Sequence, residues 1–121
     1  MTQRQRLGRL GEELARRRLE ADGHAILETN YRTKSGEIDH ISQKDGMIDF
    51  VAVRTKRGAA YGSPEESLTP RKRSRMIACA QEYIEATQSE NMEWRIDVVA
   101  VELDTQGRLL RLEVLENAVE L

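Results

Sequence analysis

The stretch Gly36–Arg57, GEIDHISQKDGMIDFVAVRTKR, decides how the rest of the chain is arranged. It reads as two strands joined by a tight turn. Glu37-Ile38-Asp39 and Ile41 alternate polar and apolar. Met47 to Val53 is an apolar run broken at Asp49 and carrying Phe50 and three β-branched residues. Asp45-Gly46 lies between them, and Asp-Gly is a strong hairpin signal because both turn positions of the favoured turn need positive φ. A two-residue turn makes Lys44 face Met47. Asp39 then faces Ala52, Glu37 faces Arg54, and these four share one face with Ile41 and Phe50. A four-residue loop keeps that face, whereas a three-residue loop swaps it unless a bulge intervenes.

Working outward, further motifs join the hairpin in order: Gly8-x-x-Gly11-Glu12-x-x-Ala15, Asn30-Tyr31-Arg32, Gly36-Glu37-Ile38-Asp39, Tyr61-Gly62, Lys72 and Arg95-Ile96-Asp97-Val98-Val99. In these residues the chain resembles the YraN-like family of the restriction-endonuclease-like, or PD-(D/E)XK, nuclease superfamily, which is similar to archaeal Holliday-junction resolvases. The likeness spans most of the chain. It implies an α/β restriction-endonuclease-like fold, Mg²⁺ or Mn²⁺ as cofactor, DNA or another nucleic acid as partner, and a metal site built on Asp39 with Glu12 from the first helix. The resolvases act as dimers, which leaves a homodimer open here. At the third strand the family pattern is F-V-E-V-K, whereas this chain has Phe50-Val51-Ala52-Val53-Arg54. By that likeness a methyl group replaces a metal-binding carboxylate and arginine replaces the catalytic lysine.

Composition sets the outer limits. The 121 residues suffice for one domain, 1–121, with one core. Hydrophobic content of 39% with 33% charged residues fits a globular chain with a heavily charged surface. No apolar run approaches the roughly 20 residues of a membrane span, and no secretory signal precedes the first helix, so no membrane partner and a cytoplasmic location are expected. Cys79 is the one cysteine, which excludes an intramolecular disulfide and a cysteine-based zinc site. Residues 1–75 hold 16 Lys/Arg against 11 Asp/Glu, and residues 76–121 hold 3 against 10. A basic first part beside an acidic second part predicts one anion-facing surface; charges scattered over solvated faces are the plainer reading.

Along the chain, Thr2-Gln-Arg-Gln5 has the form of a capping box. Leu7, Leu10, Leu14 and Leu19 mark a helix to about residue 22, stopped at Asp22-Gly23. Glu12 lies with Gly8 and Ala15 at one edge of that stripe, and the two small neighbours predict close approach to a sheet. Ala25–Thr29 reads as a short strand and residues 30–35 as a polar loop, with Arg32 and Lys34 as candidate phosphate contacts. His40 and Asp49 fall on the face opposite Asp39. Arg54, Lys56 and Arg57 end the third strand in a basic cluster. Thr69-Pro70 is an N-cap and first helical position, and Met76, Ile77, Ala80, Tyr83 and Ile84 give the buried stripe of a helix to about Thr87. Arg71, Lys72, Arg73 and Arg75 crowd its first turns against the helix dipole, a placement suited to phosphate. Lys72 is in phase with Met76 and leans toward the sheet. Trp94–Leu103 reads as a central strand and Leu109–Leu115 as a last one, followed by six residues expected to fray. The order is α-β-β-β-α-β-β, a mixed sheet flanked by helices.

Metal-dependent phosphodiester cleavage needs carboxylates to place the ion at the scissile phosphate. Asp39 and Glu12 remain, and magnesium can bind through one or two carboxylates with phosphate and water. Arg54 stays charged and cannot act as a base, but it can clamp a phosphate or pair with Glu37 across the hairpin. Three readings stay open: a nuclease-fold protein that binds nucleic acid and cuts it poorly or not at all, an active nuclease using a migrated acid such as Glu37 or Glu66, and a protein-interaction module on a retired nuclease fold.

Overall fold

The Asp45-Gly46 turn closes as its sequence predicts. Both residues have positive φ, 51° and 77°, and Lys44 pairs with Met47, Ile41 with Phe50 and His40 with Val51. This hairpin joins β2 (Gly36–Lys44) and β3 (Met47–Arg57). The computed structural model describes residues 1–58 and 62–120; Tyr61 lies outside the described residues. Around the hairpin run α1 (Gln3–Ala21), β1 (Ala25–Thr33), a single 3₁₀ turn (Pro64–Ser67), α2 (Pro70–Ala86), β4 (Glu93–Leu103) and β5 (Leu109–Leu115). The sheet order is β1-β2-β3-β4-β5. Neighbours are antiparallel except β3 and β4, which are parallel because α2 carries the chain back across the sheet. No described helix is long and apolar enough to cross a membrane.

Each face of the sheet is covered by one helix. Ile41, Ile48, Phe50, Ala52, Ile96 and Val98 pack on Met76, Cys79, Ala80, Tyr83 and Ile84 of α2. Phe50 meets the edges of Tyr83 and Trp94 at centroid distances of 5.6 and 5.4 Å. On the other face Val51, Val53, Val99, Val101 and Leu103 pack on Ala15 and Leu19 of α1. The buried line of α1 is Gly11, Ala15, Leu19, one residue per turn, and Leu10, expected inside, is 42% exposed. A side chain at Gly11 would collide with the Thr55 hydroxyl of β3, so Gly11 makes the close approach. Gly8 does not, because the one atom near a Cβ built there is Glu12 Oε2 at 3.9 Å. This corrects the pairing of Gly8 with Ala15 as the small packing neighbours.

Two other expectations are corrected. The segment read as a loop continues β1 through Arg32 and Thr33, which pair with Glu37 and Gly36. Tyr31 anchors this extension edge-on against Tyr83, 5.2 Å between centroids, and Thr33 Oγ1 donates to Glu82 of α2 at 2.6 Å. The described residues after β5, 116–120, do not fray: the Asn117 N–H donates to Asp97 Oδ1 at 2.7 Å and Val119 is buried in the α2-side core.

Candidate functional site

The regular ladder between β2 and β3 ends at His40–Val51, one pair short of Asp39. In that register Val53 would face Ile38. Instead, the Val53 N–H donates to Asp39 Oδ2 at 2.7 Å, so a carboxylate takes the place of a backbone acceptor and the strands part around it. The opposite neighbour is also irregular: Asn30 of β1, level with Asp39, has φ of 51°. Ile38 packs on the α2 side with Ile41, whereas His40 turns to α1 and its Nε2 meets the Glu12 carbonyl at 2.8 Å. That contact puts the ring proton on Nε2, since the carbonyl can only accept. His40 is therefore a packing histidine that fastens α1 to β2.

The fork opens into a cleft of about 430 Å³ lined by Arg32, Glu37, Asp39, Ala52, Arg54, Lys72 and Arg75, with Leu68 and Met76 among the apolar residues of its wall. Asp39 and Ala52 both line this cleft. Burial raises the Asp39 carboxyl above the usual carboxylate range; the Val53 N–H and the Arg54 guanidinium pull it back, and Glu37 adds to the rise. Burial also raises Glu12, with Asp39 and then Glu37 reinforcing it and Arg9 opposing. Glu12 therefore lies within electrostatic reach of Asp39 but at the cleft's margin, not in its lining.

Glu37 does not pair with Arg54. Its Oε2 accepts from Arg32 Nε at 2.9 Å, because β1 runs on to place Arg32 opposite it while β3 diverges. Arg54 is left with a buried Nε that has no partner among the described residues. Lys72 follows its helical phase into the cleft, where Nζ reaches the Ser67 carbonyl at 3.4 Å. Arg75, one turn further on the same ridge, joins it and donates to the Ser35 carbonyl at 3.2 Å. The i, i+3, i+4 spacing of Lys72, Arg75 and Met76 carried the signal for Arg75, which counting charges at the helix start does not isolate.

The other candidate cations disperse. Lys56 donates to the Gly62 carbonyl and Arg57 to the Thr105 carbonyl. Arg73 turns back onto the Leu68 carbonyl at 3.0 Å, beside a separate hollow that also holds Glu66. Arg71 and Lys34 are exposed and are not among the residues lining the cleft. Glu66 is thus not brought to Asp39. Among the described residues no three His, Cys, Asp or Glu side chains form a metal-holding group. Asp39 and Glu12 form a two-acid set with one Asp39 oxygen already engaged and a guanidinium alongside, a poor fit for a resident divalent ion.

A second pair of acids, Asp49 and Asp97, is fully buried behind the hairpin. Asp97 takes Arg95 Nε at 3.0 Å and the Asn117 N–H. Neither Asp49 oxygen has a hydrogen-bond partner among the described residues, and burial, with Asp97 next among the causes, raises its carboxyl to about 9. Burial with an acid alongside favours the protonated form of the Asp49 carboxyl. Neither lines the cleft.

A family model described as uncharacterised protein family UPF0102 matches residues 11–101. Similar chains include UPF0102 proteins of Dehalococcoides mccartyi, 41% identical over 116 residues that cover 96% of this chain and 94% of that one, and of Pelotomaculum thermopropionicum, 42% identical over 115 residues, 95% and 96%. A third, from Syntrophus aciditrophicus, is 40% identical over 121 residues, covering all of this chain and 94% of its own.

Proposed function

The chain belongs to uncharacterised protein family UPF0102, and we propose that it is a nucleic-acid-binding protein on a restriction-endonuclease-like fold, with a degenerate metal site that cuts DNA slowly or not at all. One observation carries this reading: Arg54, Lys72 and Arg75 line the cleft beside Asp39, and none of them has a carboxylate partner among the described residues. Lys72 and Arg75, held in place by backbone carbonyls, and Arg54, whose buried Nε has no partner among the described residues, suit a phosphodiester backbone. The same cleft presents a methyl group at Ala52 where the nuclease pattern has a carboxylate. A divalent ion, Mg²⁺ or Mn²⁺, would rest weakly on Asp39 and Glu12. The site's own side chains would then do the binding: Arg54 grips a phosphate from the floor of the cleft, and Lys72 and Arg75 hold it from the α2 wall.

Gel shifts on linear and branched DNA, with a parallel cleavage assay in Mg²⁺ and in Mn²⁺, test the proposal. The unaltered chain should shift DNA in a salt-sensitive way with little or no cleavage. Lys72→Ala with Arg75→Ala should weaken binding and lower the slope of log affinity against log salt by about 0.9 for each duplex phosphate that the variant no longer neutralises. Unchanged affinity and slope in that variant would remove the cleft as the binding site. Glu37, which lines the cleft, is the acid a cutting enzyme would recruit; efficient cleavage by the unaltered chain that Glu37→Gln abolishes would favour the active-nuclease reading instead.

A further inference from the structure

Glycine inside a helix is destabilising and needs a reason. Gly11 has one in the collision with Thr55 that any side chain would cause. Gly8 has none among the described residues: of these, a Cβ there would meet only the Glu12 carboxylate, at ordinary contact distance. Gly8 stands one helical turn before Glu12, on the flank of α1 that Glu12 shares with Asp39. Arg9 is adjacent, close enough to act electrostatically on Glu12. The six arginines of α1 divide by position. Arg16, Arg17 and Arg18, in its second half, are each paired with an acid, whereas Arg4, Arg6 and Arg9 have no such partner among the described residues. Arg9, Glu12, Asp39 and Arg54 therefore follow one another, each within electrostatic reach of the next, from the open end of α1 into the cleft.

We infer that the first half of α1 is the second wall of the nucleic-acid site: Gly8 leaves the helix surface bare so that a sugar–phosphate backbone can lie against it, and Arg9 takes the phosphate next to the one in the cleft. The inference rests on the proposed nucleic-acid-binding function and adds the residues that receive the strand beyond Asp39. The missing side chain matters because a bare helix face lets the strand approach both the backbone and Arg9.

The test uses the full chain and a short fluorescein-labelled DNA duplex, followed by fluorescence anisotropy across a salt series and by thermal unfolding. Gly8→Leu fills the bare face; it should lower affinity tenfold or more while leaving the melting temperature equal or higher, since leucine is the better helix former. A structural role for Gly8 would instead lower the melting temperature. Arg9→Gln should lower the salt slope by about 0.9 without loss of stability. Should Gly8→Leu not yield folded protein, Gly8→Ala and Arg9→Gln carry the test by the same readouts. If these variants bind like the unaltered chain while Lys72→Ala with Arg75→Ala binds weakly, the α1 wall is overturned and the cleft stands. If the unaltered chain itself leaves the duplex unbound, the nucleic-acid reading and this one fall together.

Discussion

The molecule has two pairs of acids, Asp49 with Asp97 and Asp39 with Glu12, and they differ in what surrounds them. Asp49 and Asp97 are sealed from solvent; Asp97 takes Arg95 and the Asn117 N–H, and both Asp49 oxygens lack a hydrogen-bond partner among the described residues. Asp39 and Glu12 are half-buried at an open fork, beside cations with no carboxylate partners among the described residues. A perturbed carboxyl is common to both, so perturbation alone does not mark a binding site. The distinction lies in access and in unspent charge. The closed pair acts on stability, whereas the open pair leaves charge for a ligand.

The sharpest test of that contrast removes one acid from each. Asp97→Ala strips Arg95 and the Asn117 N–H of their acceptor inside the fold and should destabilise by about 3 kcal/mol, the low end for breaking a buried pair, because Arg95 is only partly buried. Asp39→Ala loses a single hydrogen bond from Val53 and relieves a strained charge, so it should cost about 1 kcal/mol or less. Urea unfolding midpoints measure both. Equal losses would erase the distinction between a structural and a reserved pair.

Next in size is the restoration of chemistry at the open pair. Ala52→Glu sets a second acid on the face of Asp39, and Arg54→Lys provides a compact ammonium. Together they should raise Mn²⁺ affinity and increase DNA cleavage by about a hundredfold or more, the scale of one positioned acid–base group and equivalent to about 2.7 kcal/mol of barrier. Asp39→Ala on that background should abolish both gains. An unaltered chain that already cuts with Mg²⁺ at the rate of the double variant would show that a carboxylate has migrated into the site.

How much of this contrast was legible depended on whether a short-range rule governed it. The Asp45-Gly46 turn set the β2–β3 register, and alternation placed Phe50 and Ala52 on one face and Val51 and Val53 on the other. What alternation cannot foresee is a side chain that enters the ladder. Asp39 captures the Val53 N–H, the strands part, and the Glu37–Arg54 pair expected from the register gives way to Glu37–Arg32. The extension of β1 was obscured because Arg32 is exposed and Tyr31 alone marks the burial. The partner of Asp49 was hidden for a different reason: only the parallel β3–β4 pairing brings Asp97 alongside Val51, two places along from Asp49. Gly8 and Gly11 look alike in sequence, and only Thr55 tells them apart.

The closed pair also predicts a pH dependence. The Asp49 carboxyl rises from 3.8 to about 9 on folding, so the folded chain keeps a proton that the unfolded chain gives up. Its contribution is fully present below about pH 4 and is lost as pH rises toward about 9, with a slope of at most about 1.4 kcal/mol per pH unit. Asp49→Asn keeps the shape, replaces the carboxyl proton with an amide donor, and should flatten that slope in urea titrations at several pH values. A slope that survives the substitution would assign the dependence to other groups, Asp39 and Glu12 first among them.

The smallest effect separates stability from binding at the open site itself. Arg32 and Glu37 form a surface ion pair, 77% and 53% exposed, of a kind worth about 0.5 kcal/mol or less. Glu37→Gln should therefore leave the unfolding midpoint almost unchanged. It also removes a negative charge from the cleft and releases Arg32 toward any phosphate there, so DNA affinity should increase and the salt slope should steepen by up to about 0.9. The two readouts are independent, which gives the substitution its force. A cleft built to hold phosphate gains from losing an acid that only balances one of its cations. A cleft whose charges serve the fold would show a lower midpoint and no gain in affinity, and the distinction between the open and closed pairs would then collapse at its weakest member.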